Sequence, residues 1–435
     1  MLKSHLFTLL LIGICLNSLY AQRKKKRVDR SPQQELVYRD KNYLPSIQSV
    51  ELYTENLEQL SPILQLNTDQ TFILAFDDLR ADHRRFYFSL EHCNINWEKS
   101  SLSTLEYSAG YGEDLITNSS QSRNTVTPYT HYETQFPTEN VKPLISGNYL
   151  LKVYEDGDKS RLILTRRFFV VDQAVSIQAE IAPPVDISKR KSHQKLNLTV
   201  RTASLQVNNP SHDIKVMIMQ NGRQDILEWE DKPSTIRGNE LIYNRPEQFN
   251  FPGGQEFLYL DLRSLRLQSS TIESIESDSL IHVNLFQDQI LDNVRYSETP
   301  DENGQFFIRN LDQDGDAATL SEYASVRFEL KAPSSIQGNI YLLGSFNNYN
   351  RIPENQLHFD STSGSWKITK WLKQGVYDYT FAVGNALQTP SAATPNFYET
   401  DNAYGIFIYY RNPRLNRDEL VGYGRLDSRS NARLH

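Results

Sequence analysis

Between residues 147 and 172 the side chains alternate with period two on both sides of a three-residue turn, and only a β-hairpin accommodates that pattern. Tyr149, Leu151 and Val153 interleave with Leu150, Lys152 and Tyr154, Asp156-Gly157-Asp158 supplies the turn, and Leu162, Leu164, Phe168 and Val170 share one face of the returning strand. The same alternation recurs at 49–53, 63–66, 72–79, 86–93 and 127–136, with turn residues between. Many short strands and no convincing helix predict an all-β chain of tandem immunoglobulin-like or fibronectin-like β-sandwich domains. The 24 Tyr and 20 Phe fit strands, which favour aromatic side chains.

A length of 435 residues suits about three such domains. The sequence predicts a signal peptide at 1–21, a basic disordered arm at 22–41, and sandwiches at 42–172, 173–300 and 301–435. In the second, strands are expected at 175–181, 195–202, 213–221, 257–265 and 281–288, with breaks at Pro183-Pro184 and Asn208-Asn209-Pro210. In the third they are expected at 325–330, 339–346, 365–372, 377–383 and 404–410. The polar stretch 98–126 reads as a long loop, and such loops tend to carry function.

Lys3, the apolar run 6–16 and a cleavage point between Ala21 and Gln22 form the export signal. The run falls short of the roughly 20 residues that span a bilayer, so no transmembrane segment is expected in the mature chain. Cleavage removes Cys15 and leaves Cys93 as a lone thiol, so core burial must hold the fold. Cleavage also removes Lys3, taking the net charge from −7 to −8, which argues against nucleic acid as a partner. The arm Arg23-Lys24-Lys25-Lys26-Arg27 is a solvated tail, with weak contact to an anionic membrane surface as its sharper reading.

The chemistry-bearing residues fall short of a catalytic set. Asp77 and Asp78 are strand neighbours and point to opposite faces, so they cannot work as a carboxylate pair. Asp78 and Arg166 each sit in an otherwise apolar row, and the expectation is that they form a buried ion pair within the first domain. His92 and Cys93 diverge for the same parity reason and read as structural. Asp312, Asp314 and Asp316 resemble a calcium loop, but Ala317 and Tyr323 stand where an EF-hand needs Gly and Glu. No metal-ligand spacing or nucleotide-binding motif occurs, so no cofactor is expected and the chain reads as a non-enzyme. Phe346, Tyr349, Trp366 and Trp371 are a candidate aromatic face for sugar stacking, in a region similar to early-set sandwich domains.

Several of these segments, in order, resemble one family. SVELY at 49–53, FDDL at 76–79, EHCNINW at 91–97, YTHYETQFP at 129–137, SGNYLLKVY at 146–154, LTRRFFV at 164–170, QNGRQD at 220–225, FPGGQEF at 251–257 and DQDGD at 312–316 carry the likeness. They are similar to the plug proteins of the type IX secretion system, with Asn94 and Asn96 where that family often has Asp and Gln224 where it often has an aromatic residue. The resemblance implies a periplasmic, non-enzymatic plug whose partner is the giant outer-membrane β-barrel translocon of that system. The alternative is a periplasmic carbohydrate-binding module built on the third domain's aromatics.

Overall fold

The computed structural model describes residues 30–54, 61–205, 207–290, 294–333, 336, 338–384, 391–392 and 395–429. The signal peptide, with Ala21 and Gln22, and the basic run 23–27 lie outside the described residues.

Nearly all regular structure is β, and the helices among the described residues are single turns such as Thr104–Tyr107 and Pro210–Asp213. In domain 1 a front sheet orders Ile47–Thr54, Phe72–Asp78, Thr130–Phe136 and Asn118–Gln121. A back sheet orders Lys41–Asn42, Leu162–Val171, Gly147–Glu155, Phe86–Cys93 and Asp114–Leu115, with Ile63–Gln65 running parallel to Leu162–Val171. The hairpin expected at 147–172 forms, and Asp156 and Gly157 turn it at positive φ. The stretch 98–126 is more structured than a loop. It contributes an edge strand to each sheet, because Asn118–Gln121 pairs with Thr130–Phe136 and Asp114–Leu115 with Phe86–Cys93.

Between the two sheets lies an aromatic core. Phe76 stacks on Tyr132 at 5.3 Å, Phe86 meets Tyr132 edge-on at 4.8 Å, and Phe168 packs on Tyr149 and Phe136. Tyrosine suits these positions because its hydroxyl finds a partner at the sheet rim. Tyr132 Oη accepts from the Arg84 amide at 2.8 Å and Tyr149 Oη donates to the Ile145 carbonyl at 2.8 Å.

Residues 30–41, expected as part of a disordered arm, are laid along the back sheet. The Gln34 amide bonds the Ser160 carbonyl, Tyr38 Oη donates to Glu91 Oε1 at 2.7 Å, and Leu36 and Tyr38 pack on apolar side chains. The reason is that this sheet is apolar on both faces, and the arm covers part of the second one.

The sheets of domains 2 and 3 depart from the boundaries drawn from sequence. Domain 2 has one sheet of Ser176–Ala182, His193–Arg201, Glu240–Tyr243, Thr235–Arg237 and Asn250–Pro252. Its other sheet is Leu227–Glu230, Ile214–Gln220, Ala403–Asn412 and Arg417–Asp427. The C-terminal hairpin therefore belongs to domain 2, with Ile214 opposite Tyr410 and Ile218 opposite Ile406. Leu258–Asp261, Ile272–Ser277 and Ile281–Leu285, expected in domain 2, instead pair with domain 3 strands. Domain 3, from about 257 to 397, is thus inserted into domain 2 between Pro252 and Ala403. Pairing decides this: Ile406, Ile408 and Tyr410 share one core with Val216 and Ile218, whereas Leu260, Val283 and Phe328 share another.

Candidate functional site

The features that bear on function are the seams joining the domains and the surface left exposed. Domain 1 meets domain 2 through apolar side chains. Phe169 and Val171 point away from the domain 1 core and pack against Met217, Met219, Phe407, Tyr409 and Leu420, with Phe169 and Phe407 at 4.6 Å. Cys93 is buried in this seam, and burial pushes its thiol up to about 12, so it stays protonated and inert. Its neighbour His92 turns the other way, edge-on to Tyr149 at 5.1 Å, and burial lowers it to about 4. The two side chains do not meet as a nucleophile and base. Arg167 stacks over Trp97 at 4.4 Å and reaches Gln224 Oε1 of domain 2 at 3.4 Å.

The seam between domains 1 and 3 is polar. Asp77, on the outer face of the front sheet, is 2.6 Å from Lys373 Nζ, and both side chains are 1% exposed. Tyr323 Oη donates to the same carboxylate at 2.6 Å, and His131 Nδ1 lies 2.7 Å from its other oxygen. Burial opposes ionisation of Asp77, but Lys373 and His131 outweigh it and hold the carboxyl below its ordinary value. Beside them Tyr129 Oη donates to the Ser321 carbonyl at 2.8 Å, and Glu322 accepts from the Val126 and Thr127 amides. A cavity of about 400 Å³ runs along this seam, lined by Glu51, Tyr53, Glu133, Arg309 and Lys373 among others. Burial there raises Glu51 to about 7, against the pull of Lys373.

Domains 2 and 3 meet where Arg223 lies 4.5 Å over the Tyr349 ring and Tyr349 Oη donates to the Gly304 carbonyl at 2.6 Å. The Asp401 amide lies 3.2 Å from the Glu256 carboxylate, tying the two crossings of the chain together.

The expected Asp78–Arg166 pair does not form. Asp78 is held by the nearby Arg80, at 2.7 Å, and lies 4.0 Å from Arg84. Arg166 donates to the Thr165 carbonyl and to Asn42 Oδ1, each at 2.8 Å, and burial lowers it to about 10. Arg166 keeps the parity read from sequence with Leu164, Phe168 and Val170, but Leu162, read on the same face, does not: the bulge in this strand falls near Ile163, so Ile163 joins the domain 1 core and Leu162 pairs with Tyr154 on the other face. Facing inward was legible; the distance along the sandwich was not.

Nor do the four aromatics of domain 3 form one face. Tyr349 is buried under Arg223, and Phe346 packs edge-on against Tyr377. Trp366 and Trp371 lie five positions apart on Ser365–Lys373 and so point to opposite sides. Trp366 packs with Phe359 at 5.4 Å. Asp312 accepts from Ser264 Oγ and the Leu265 amide, and Asp316 caps the turn Ala317–Leu320, so both carboxylates serve local structure. Among the described residues no group of three or more His, Cys, Asp or Glu could hold a metal ion.

The stretch 98–126, read from sequence as a loop that carries function, holds two of the three large apolar side chains of one exposed surface feature. Ser108–Ala109 pairs with Lys142–Pro143, and around this small sheet Leu105 is 82% exposed, Tyr111 88% and Leu144 45%. Gly110 and Gly112, both at positive φ, flank Tyr111, and a Cβ at Gly110 would lie 2.5 Å from the Asn140 backbone. The Gly-Tyr-Gly triplet was the available signal.

Residues 47–172 match the family model described as type 9 secretion system plug protein 1st domain. The N-terminal region of this chain matches the plug-protein family. The matched span covers the domain 1 sandwich except its N-terminal strap. Comparison with curated proteins finds no match. Among solved structures, a hypothetical protein from Parabacteroides merdae ATCC 43184 is similar at 26% identity and a TM-score of 0.85, covering 91% of this chain and 100% of its own. A score that high over so much of the chain means that the placement of the three domains is shared, and not only their separate folds. Among the described residues no helix is long and apolar enough to cross a membrane.

Proposed function

We propose that this chain is a periplasmic, non-enzymatic plug that closes the periplasmic opening of the giant outer-membrane β-barrel translocon of the type IX secretion system. The observation that carries the reading is the match of residues 47–172 to the first domain of that system's plug proteins. The seams support it physically. A steric gate needs a body that does not deform when pushed, and here each domain is fixed against the other two by buried contacts. The work is done by shape, so no reactive cleft is required.

The contact end is the small sheet of domain 1 that carries Leu105, Tyr111 and Leu144. An exposed tyrosine on a rigid frame, with leucines beside it that exclude water, is suited to anchor an interface that must also release, because it contributes apolar area without a large greasy surface. The test is co-purification of the barrel with the chain, comparing native protein with Leu105→Ser/Tyr111→Ser. Loss of the two side chains weakens association by roughly 30-fold or more. A barrel that never co-purifies with the native chain refutes the plug reading; a barrel bound equally by the variant refutes only the assignment of the contact end.

A further inference from the structure

We propose that the loop joining Ser176–Ala182 to His193–Arg201 in domain 2 docks on a bilayer surface bearing anionic headgroups. This inference is independent of the plug reading. At the loop's tip Val185 is 59% exposed and Ile187 is 78% exposed. Lys189, Arg190 and Lys191 follow directly, all exposed, and among the described residues none lies within ion-pair distance of a carboxylate. With Asp186 as the loop's one anion, three cations leave it at +2, on a chain whose total is −7.

The loop is built, not slack. Asp186 Oδ1 accepts from the Ser188 amide at 2.9 Å and from Ser188 Oγ at 2.8 Å, capping a turn of 3-10 helix at Ile187–Lys189. Arg190 Nε donates to the Pro184 carbonyl at 3.1 Å, closing the loop across its base. The base is tied down in turn, since the Gly253 amide bonds the Ser192 carbonyl and the Tyr398 amide bonds the Lys191 carbonyl. An ordered loop that holds two branched apolar side chains in water gains nothing from them within its own fold. What it presents is an apolar wedge beside a cationic collar. That pairing fits the boundary between headgroups and acyl chains, where apolar side chains leave water and lysine or arginine meets phosphate. A protein partner is less well matched. Interface anchors are enriched in aromatic residues, and the tip carries none.

The experiment is co-sedimentation of the purified chain with vesicles of equimolar phosphatidylcholine and phosphatidylglycerol, against vesicles of phosphatidylcholine alone. The native chain binds the anionic vesicles. Lys189→Glu/Lys191→Glu, which keeps the Arg190 bond to Pro184, weakens that binding by about 30-fold, and Ile187→Asp weakens it by about 10-fold or more. Both variants melt as the native chain does, because the changed side chains are exposed. No preference for anionic vesicles overturns the proposal, as does undiminished binding by the loop variants. Binding that disappears only on replacing Lys24, Lys25 and Lys26 by Gln also overturns it, by placing the attachment in the N-terminal arm.

Discussion

Lys373→Met tests whether domains 1 and 3 are locked by a buried charge rather than merely touching. The substitution keeps the length and apolar stem of the side chain and removes the ammonium. At 2.6 Å, with an effective dielectric near 20, the attraction between Lys373 and Asp77 is about 6 kcal/mol before desolvation is counted. Breaking one partner of a buried pair costs about 3–5 kcal/mol, because the remaining charge is stranded. Asp77 keeps Tyr323 Oη and His131, so the lower end, about 3 kcal/mol, applies here. A chain of this size does not unfold in one step, so the readout must be local. Hydrogen exchange at Phe72–Asp78 and Ser365–Lys373 reports opening of the seam directly. The double variant Asp77→Asn/Lys373→Met recovers much of the loss, since no charge is left unpaired. The pH dependence has a definite sign. The carboxyl of Asp77 is held below its ordinary value, so its contribution is complete above about pH 4 and fades as pH falls through the folded value. A cost below about 1 kcal/mol at neutral pH refutes the reasoning, since the pair would then have to be exchanging with water.

Three further outcomes follow from the same contacts. Glu51→Gln stabilises the protein at pH 8 and leaves it unchanged at pH 4: burial raises Glu51 from 4.5 to about 7, equivalent to about 3 kcal/mol, and partial exposure to the cavity reduces this to about 1–2 kcal/mol. This group's stability contribution is present below its unfolded value and lost as pH rises through about 7, which hydrogen exchange at Ile47–Thr54, corrected for the intrinsic rates at the two pH values, checks. Phe407→Ala costs about 3–5 kcal/mol at the seam of domains 1 and 2, measured as earlier proteolytic separation of domain 1, because the ring fills the space between Phe169 and Tyr423. Truncation after Asp401 removes half of a domain 2 sheet, and the product loses the cooperative transition of domain 2; a truncated chain with an intact domain 2 would show the inserted topology to be wrong.

Strands were legible because each depends on its own side chains. Residues 147–172, 195–202, 213–221 and 404–410 all read correctly, since period-two alternation is local. The partner of each strand was not legible. Ala403–Asn412 follows domain 3 in sequence but pairs with Ile214–Gln220, about 190 residues earlier, and nothing in its alternation says so. The same limit explains Asp78 and Arg166, since parity gives the face and not the position along it. It also explains the domain 3 aromatics, where Tyr349 looked free only because the domain 2 residue Arg223 was not known to cover it. Strands buried on both faces could have warned of the seams. LILTRRFFVV carries consecutive apolar residues at both of its ends, Leu162–Leu164 and Phe168–Val171, rather than alternating them with polar ones, and Phe169 and Val171 on its second face are the side chains that meet domain 2.

The inserted topology gives rigidity a structural cause. Domain 3 joins domain 2 by two chain crossings, near residues 253–257 and 398–402, so it cannot swing about a single hinge. Rotation about the axis through both crossings is the remaining freedom, and domain 1 opposes it. Domain 1 is fixed to domain 2 through Phe169 of its back sheet, against Phe407, and to domain 3 through Asp77 of its front sheet, against Lys373. Opening any one seam therefore strains the other two. The contacts differ in kind as well as place: the seam of domains 1 and 2 is apolar and insensitive to salt, whereas that of domains 1 and 3 is ionic but shielded from solvent. A change of conditions that weakens one leaves the other closed, and the body keeps its shape across conditions that would loosen a chain of sandwiches joined end to end.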